Sequence, residues 1–118
     1  GTVRDTLQTL LMDAVHLYCH PDLPQGCMVV ASAASVSAEN ETLKTWLAQH
    51  RLQRTQQIID RLHQAVHNGE LPDTTDAESL GDYFAVFLHG LSVQARDGVP
   101  ESRLQAAVKQ ALSLLPHS

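Results

Sequence analysis

Apolar residues recur at helical intervals along most of the chain, and chemically plain breaks separate the runs. Val3, Leu7, Leu10, Leu11, Ala14, Val15 and Tyr18 follow a 3.6-residue repeat, which predicts an amphipathic helix over residues 2–18. Two prolines and a glycine in residues 20–26 end it, because they cannot carry the hydrogen-bond ladder onward. Residues 27–36 are nearly all apolar or small. Val29, Val30 and Val36 suit a strand and Ala31, Ala33 and Ala34 a buried helix, and the lack of a strand partner favours the helix.

A long helix is predicted next. Ser37 is placed to cap it, and Glu39 and Glu41 lie in the first turn, where the helix dipole favours negative charge. Leu43, Leu47, Ile58, Leu62 and Val66 form its expected inward stripe, with Gln49, Gln53, Gln56, Gln57 and Gln64 left for water. Asn68-Gly69 ends it through a left-handed cap, and Pro72 prevents a restart. Thr75-Asp-Ala-Glu78 reads as a capping box opening the next helix. From residue 80 to 95 the apolar positions Leu80, Tyr83, Phe84, Val86, Phe87, Leu88, Leu91 and Val93 occupy nearly every side, the pattern of a helix buried all round. One short domain can hardly cover it alone. Gly98 closes this helix and Pro100 sits at the start of the last. There Leu104, Val108, Ala111 and Leu115 make one stripe, widened by Ala107, Leu112 and Leu114. The expectation is an all-α domain of about five helices whose last two carry more apolar surface than the chain can bury.

Composition narrows the function. With 43% apolar and 18% charged residues over 118 positions, the chain reads as one packed domain, residues 1–118, able to build a core without disulfides or metal. Eight Lys and Arg against thirteen Asp and Glu give a net charge of −5, which repels a phosphate backbone. The run at residues 27–36 is far short of the roughly 20 residues a membrane span needs, so no membrane partner is expected. The start, Gly1-Thr-Val-Arg-Asp5, has no initiator Met, basic stretch or apolar core of a signal peptide, and reads like a chain cut from something longer.

Three segments together resemble the C-terminal domain of TetR-family transcriptional regulators: Leu23-Pro-Gln-Gly-Cys-Met-Val-Val30, the turn Gly69-Glu-Leu-Pro72, and the block Phe87-Leu-His-Gly-Leu-Ser-Val-Gln-Ala-Arg96. The resemblance spans nearly the whole chain. It implies an all-helical effector-binding and dimerisation domain of a bacterial, cytoplasmic regulator, with the last two helices pairing with a second copy as a four-helix bundle. The family's helix-turn-helix lies N-terminal to this domain and has no counterpart here, so contact with DNA is expected only through that absent domain. The implied function is that of a repressor released by a small hydrophobic ligand.

Particular residues carry these expectations. Phe87, Gly90, Leu91 and Gln94, with Leu104, Val108, Ala111 and Leu115, are the expected homodimer interface. Gly90 costs about 1 kcal/mol inside a helix, which predicts close approach of another helix. Leu11, Val15, Tyr18, Met28, Ser32, Trp46, Leu47, Tyr83, Phe84 and Phe87 are the expected ligand contacts, an apolar set with a few polar fixers, although taken singly each more readily fills core. The effector they suit is uncharged or weakly polar.

Cys19 and Cys27 flank the proline-containing loop. Reduced, inert thiols are the default reading, a redox switch the second, and zinc held with His16 and His20 the third, because the spacing matches no standard finger. His63 and His67 share a helix face but have no evident third ligand. His89, in the buried helix, should find a polar partner or face the pocket or the second copy. No catalytic motif is present, the carboxylates Asp5, Asp13, Asp60, Asp76, Asp82 and Asp97 fall on outer faces, and neither enzymatic activity, a cofactor nor a resident metal is expected. The alternatives to an effector sensor are a purely structural helical dimerisation module and a redox- or metal-responsive switch through Cys19 and Cys27.

Overall fold

The computed structural model describes residues 2–20 and 38–115, and all regular structure there is α-helical. Four helices follow in order: α1 (Val3–Cys19), α2 (Ala38–His67), α3 (Ala77–Arg96) and α4 (Glu101–Leu112). The all-α expectation holds. The helix expected over residues 27–36, the cap Ser37, and Met28, Ser32 and Cys27 lie outside the described residues.

Each helix begins and ends for local reasons. The Thr2 hydroxyl accepts the Asp5 N–H at 3.1 Å, which satisfies one free donor at the start of α1. At the end of α2, Gly69 adopts φ +84°, a backbone that favours glycine, and the Glu70 and Leu71 N–H groups fold back onto the Ala65 carbonyl. Gly98, at φ +93°, ends α3 in the same way, with the Val99 N–H on the Gln94 carbonyl. The start of α3 corrects the expected capping box by one residue. The Thr75 N–H is engaged with the Pro72 carbonyl in a turn, Asp76 is the cap, and its carboxylate accepts the Ser79 N–H at 3.0 Å. Thr75 Oγ1 is left buried with no hydrogen-bond partner among the described residues.

α1 lies against both α3 and α4, and α2 packs chiefly on α3. Val3, Leu7, Leu11 and Val15, four residues apart, point one edge of α1 into the core, where they join Phe84 and Leu88 from α3 and Leu104 and Val108 from α4. Burying side chains of this size contributes roughly 1.5–3 kcal/mol each. Gly81 admits the closest crossing: a side chain there would run into Ile59, whose Cα lies 3.2 Å from the Cβ position.

One stripe differs from expectation. Among the described residues, only the second half of α2 faces the core, through Ile58, Ile59, Leu62 and Ala65, while Leu43 and Trp46 are exposed. α3 is not covered on every side by the single chain. Phe84, Leu88 and Leu91 point inward, and Val86, on the far side, is 73% exposed.

Candidate functional site

The far side of α3 is a continuous stripe. Tyr83, Val86, Gly90 and Val93 are spaced by three, four and three residues and so share one face; Tyr83 and Val86 are exposed, and Gly90 and Val93 half-buried. Tyr83 stacks on Phe87 with ring centroids 6.3 Å apart and meets Phe84 edge-on at 5.2 Å, which anchors the stripe to the core beneath. A Cβ at Gly90 would meet nothing within 4 Å. The close approach expected at that glycine is therefore not made by any of the described residues. Where Tyr83 begins the stripe, a groove of about 460 Å³ opens, lined by Pro72, Thr74, Thr75, Asp76, Ser79, Leu80, Tyr83 and Leu114. Leu114, at the end of α4, is itself exposed.

The expected interface residues divide. Leu91, Leu104, Val108, Ala111 and Leu115 are all buried in the core of the single chain, because α1 crosses the stripe of α4 that was expected to face a partner. Phe87 and Gly90 are half-buried and Gln94 exposed, so these three remain available. Tyr83, Val86, Val93 and Leu114 were missed as a surface. The signal that could have found them is the i, i+3, i+7, i+10 spacing from Tyr83 to Val93.

The expected ligand contacts divide as well. Leu11, Val15 and Phe84 are fully buried and packed together. Tyr18 and Phe87 are half-buried against that core. Trp46 is 53% exposed and Leu47 half-buried. With exposed Leu43 they form an apolar face on the first half of α2 that the core of the described residues does not reach, where the Trp46 ring meets His50 at 4.0 Å.

Polar chemistry lies at the ends of the helices. Glu70, in the turn after α2, accepts the Val3 N–H and pairs with Arg61, and these contacts, the Arg61 hydrogen bond foremost, hold its carboxyl below the usual range. At the opposite end of α1, His20 Nε2 lies 3.2 Å and His16 Nδ1 3.8 Å from the Glu101 carboxylate. Cys19 is half-buried, and burial first, then the Glu101 charge, push its thiol up, which disfavours the thiolate that redox chemistry needs. His63, His67 and His89 are exposed. His89 lies on the outer side of α3, the side a second copy would face. Asp5, Asp13, Asp60, Asp76, Asp82 and Asp97 are all exposed, as expected. No described helix is long and apolar enough to cross a membrane.

A family model for the tetracyclin repressor-like C-terminal domain matches residues 3–111. The HTH-type transcriptional repressor ComR of Escherichia coli (strain K12) is 21% identical over 115 residues, covering 98% of this chain and 55% of that protein. Among solved structures, the TetR family transcriptional regulator CifR, a cysteine mutant complexed with 26-bp operator DNA, superposes with a TM-score of 0.83 at 33% identity. It covers 98% of this chain and 60% of that one. A TetR transcriptional regulator from Rhodococcus sp. RHA1 matches with a TM-score of 0.80 at 29% identity, over 100% of this chain and 63% of its own. The chain thus spans between about half and two thirds of the length of these relatives.

Proposed function

The chain belongs to the tetracyclin repressor-like C-terminal domain family, and from that premise we propose that residues 1–118 are the effector-sensing, homodimerising domain of a cytoplasmic transcriptional repressor. The observation that carries this reading is the uncovered stripe on α3. A valine 73% exposed beside a helix-interior glycine with open space above it is the surface a second copy of the same helix would cover. The interface is formed by Tyr83, Val86, Phe87, Gly90, Val93 and Gln94, with Leu114 at its margin.

The effector in this reading is small, apolar and uncharged, and it contacts Trp46 and Leu47 on α2 together with Tyr18, Tyr83 and Phe87, over a floor of Leu11, Val15 and Phe84. The apolar face at Leu43, Trp46 and Leu47, which the core leaves uncovered, supports it. The role is regulatory and not catalytic. Contact with operator DNA lies outside residues 1–118, in keeping with their net charge of −5. The mechanism is a shift of population: a ligand that prefers one arrangement of the helices favours one spacing of the two DNA-binding heads, and it moves that equilibrium by no more than its difference in affinity for the two arrangements. That the relative from Escherichia coli is a repressor supports repression over activation.

Sedimentation equilibrium at micromolar concentration tests the first half of this reading, and a monomer refutes it. Thermal shift against a panel of uncharged aromatic and lipid-like compounds tests the second. The complete burial of Leu11, Val15 and Phe84 favours a second reading, a structural dimerisation module without an effector. A dimer stabilised by none of the compounds selects it.

A further inference from the structure

We propose that His16, His20 and Glu101 form a binding site for one divalent transition-metal ion, with zinc the ion their chemistry fits. His16 and His20 are four residues apart at the end of α1 and share a face, with ring centroids 4.1 Å apart. Glu101 reaches them from the first turn of α4, 81 positions beyond His20. One carboxylate oxygen lies 3.2 Å from His20 Nε2 and the other 3.8 Å from His16 Nδ1. One donor atom from each of the three residues lies within 4.8 Å of the others. Around a tetrahedral zinc with bonds of about 2.0–2.1 Å, ligand atoms sit roughly 3.3 Å apart. Closing that difference takes small rotamer changes, which the exposed histidines, at 65% and 47%, can make without disturbing the core.

Two imidazoles and one carboxylate are the donor set of zinc sites that keep a fourth position for water, and imidazole selects zinc over magnesium or calcium. The carboxylate is already oriented. Gln105, one turn along α4, donates to Glu101 Oε2 at 3.2 Å, the kind of outer contact that fixes a ligand's geometry. The backbone beneath is fixed too, because α1 and α4 are packed together through the core. His63 and His67 have the same spacing on α2 but belong to no group of three donors among the described residues. Among the described residues, it is where α1 meets α4 that a third ligand arrives. A bound ion would tie the end of α1 to the start of α4, a cross-link independent of the apolar effector contacts.

Calorimetric titration of the full chain with zinc chloride tests the site. One zinc per chain is expected, with affinity lowered at least about tenfold by His20→Ala or Glu101→Gln. A His63→Ala/His67→Ala double variant should bind as the parent does. Zinc should also raise the melting temperature of the parent and of the double variant, but not of His20→Ala or Glu101→Gln. The His20→Ala and Glu101→Gln changes lie outside the core, and circular dichroism confirms that each variant is folded before titration. Absence of zinc binding, binding undiminished in His20→Ala and Glu101→Gln, or binding lost in the double variant each overturns the proposal and leaves the three residues as an ion-paired cluster.

Discussion

The Glu70 carboxylate accepts the Val3 backbone N–H at 2.8 Å, across 67 positions of sequence, while its second oxygen holds Arg61 at 3.2 Å. A free donor at the start of α1 is thus satisfied by a residue from the turn after α2, and three elements meet at one side chain. Because these contacts lower the Glu70 pKa in the folded chain, the charged form stabilises the fold at pH values above the unfolded pKa of about 4.3. That contribution is lost as the pH falls through the lower, folded value. Melting followed from neutral pH into acid should show the parent losing stability as Glu70 is protonated. Glu70→Gln should start less stable and lose less over the same range.

The two glycines of α3 should respond in opposite directions. Gly81→Ala forces a methyl group onto Ile59 and should destabilise the chain by about 1–3 kcal/mol. Gly90→Ala meets nothing within 4 Å and removes a helix-interior glycine, so the isolated chain should gain about 0.5–1 kcal/mol. If a second copy lies over α3, the same change weakens association. Chemical denaturation and sedimentation of both variants separate the two effects.

Val86→Glu places a charge at the centre of the proposed interface. The side chain is 73% exposed in the single chain, so the fold should change by no more than about 0.5 kcal/mol. The sedimentation equilibrium should move to monomer. An unaltered dimer would move the interface away from α3.

At the start of α3 the neighbours Thr75 and Asp76 exchange the roles their residue types invite. Asp76→Ala removes the hydrogen bond to Ser79 and should cost about 1 kcal/mol. Thr75→Val replaces a buried hydroxyl with no partner among the described residues by a methyl group, and should be neutral or slightly stabilising. Urea denaturation of the two variants makes the comparison.

Local signals were legible in the sequence, and the choice of partners was not. The helix over residues 2–18 and the glycine ends at Gly69 and Gly98 follow from spacing and backbone preference alone. The cap moved from Thr75 to Asp76 because both residues cap well and the turn from Pro72 decides between them. Which helix covers an apolar stripe is a tertiary question. Leu104 and Val108 read as surplus on α4 until α1 is seen lying across them, and no signal in the sequence marks Gly81 as the place where α2 and α3 cross most closely. Glu101 drew no notice as a ligand because its histidines lie more than 80 positions earlier. For the ligand contacts, periodicity could select apolar positions but could not separate Phe84, which is sealed in the core, from Trp46, which is not.

The unequal halves of α2 have a mechanical consequence. At 30 residues the helix runs for about 45 Å, yet Ile58, Ile59, Leu62 and Ala65, the buried side chains among its described residues, all lie in the second half. Among the described residues it is a cantilever, clamped at the end beside Arg61 and Glu70 and standing clear of the core at the end that carries Trp46. A force at the tip, from a bound molecule or a neighbouring segment, acts with the full leverage of the arm on the clamp, and through Glu70 on the first turn of α1. Backbone amide exchange should grade along it, fast from residue 41 to 57 and slow from 58 to 67.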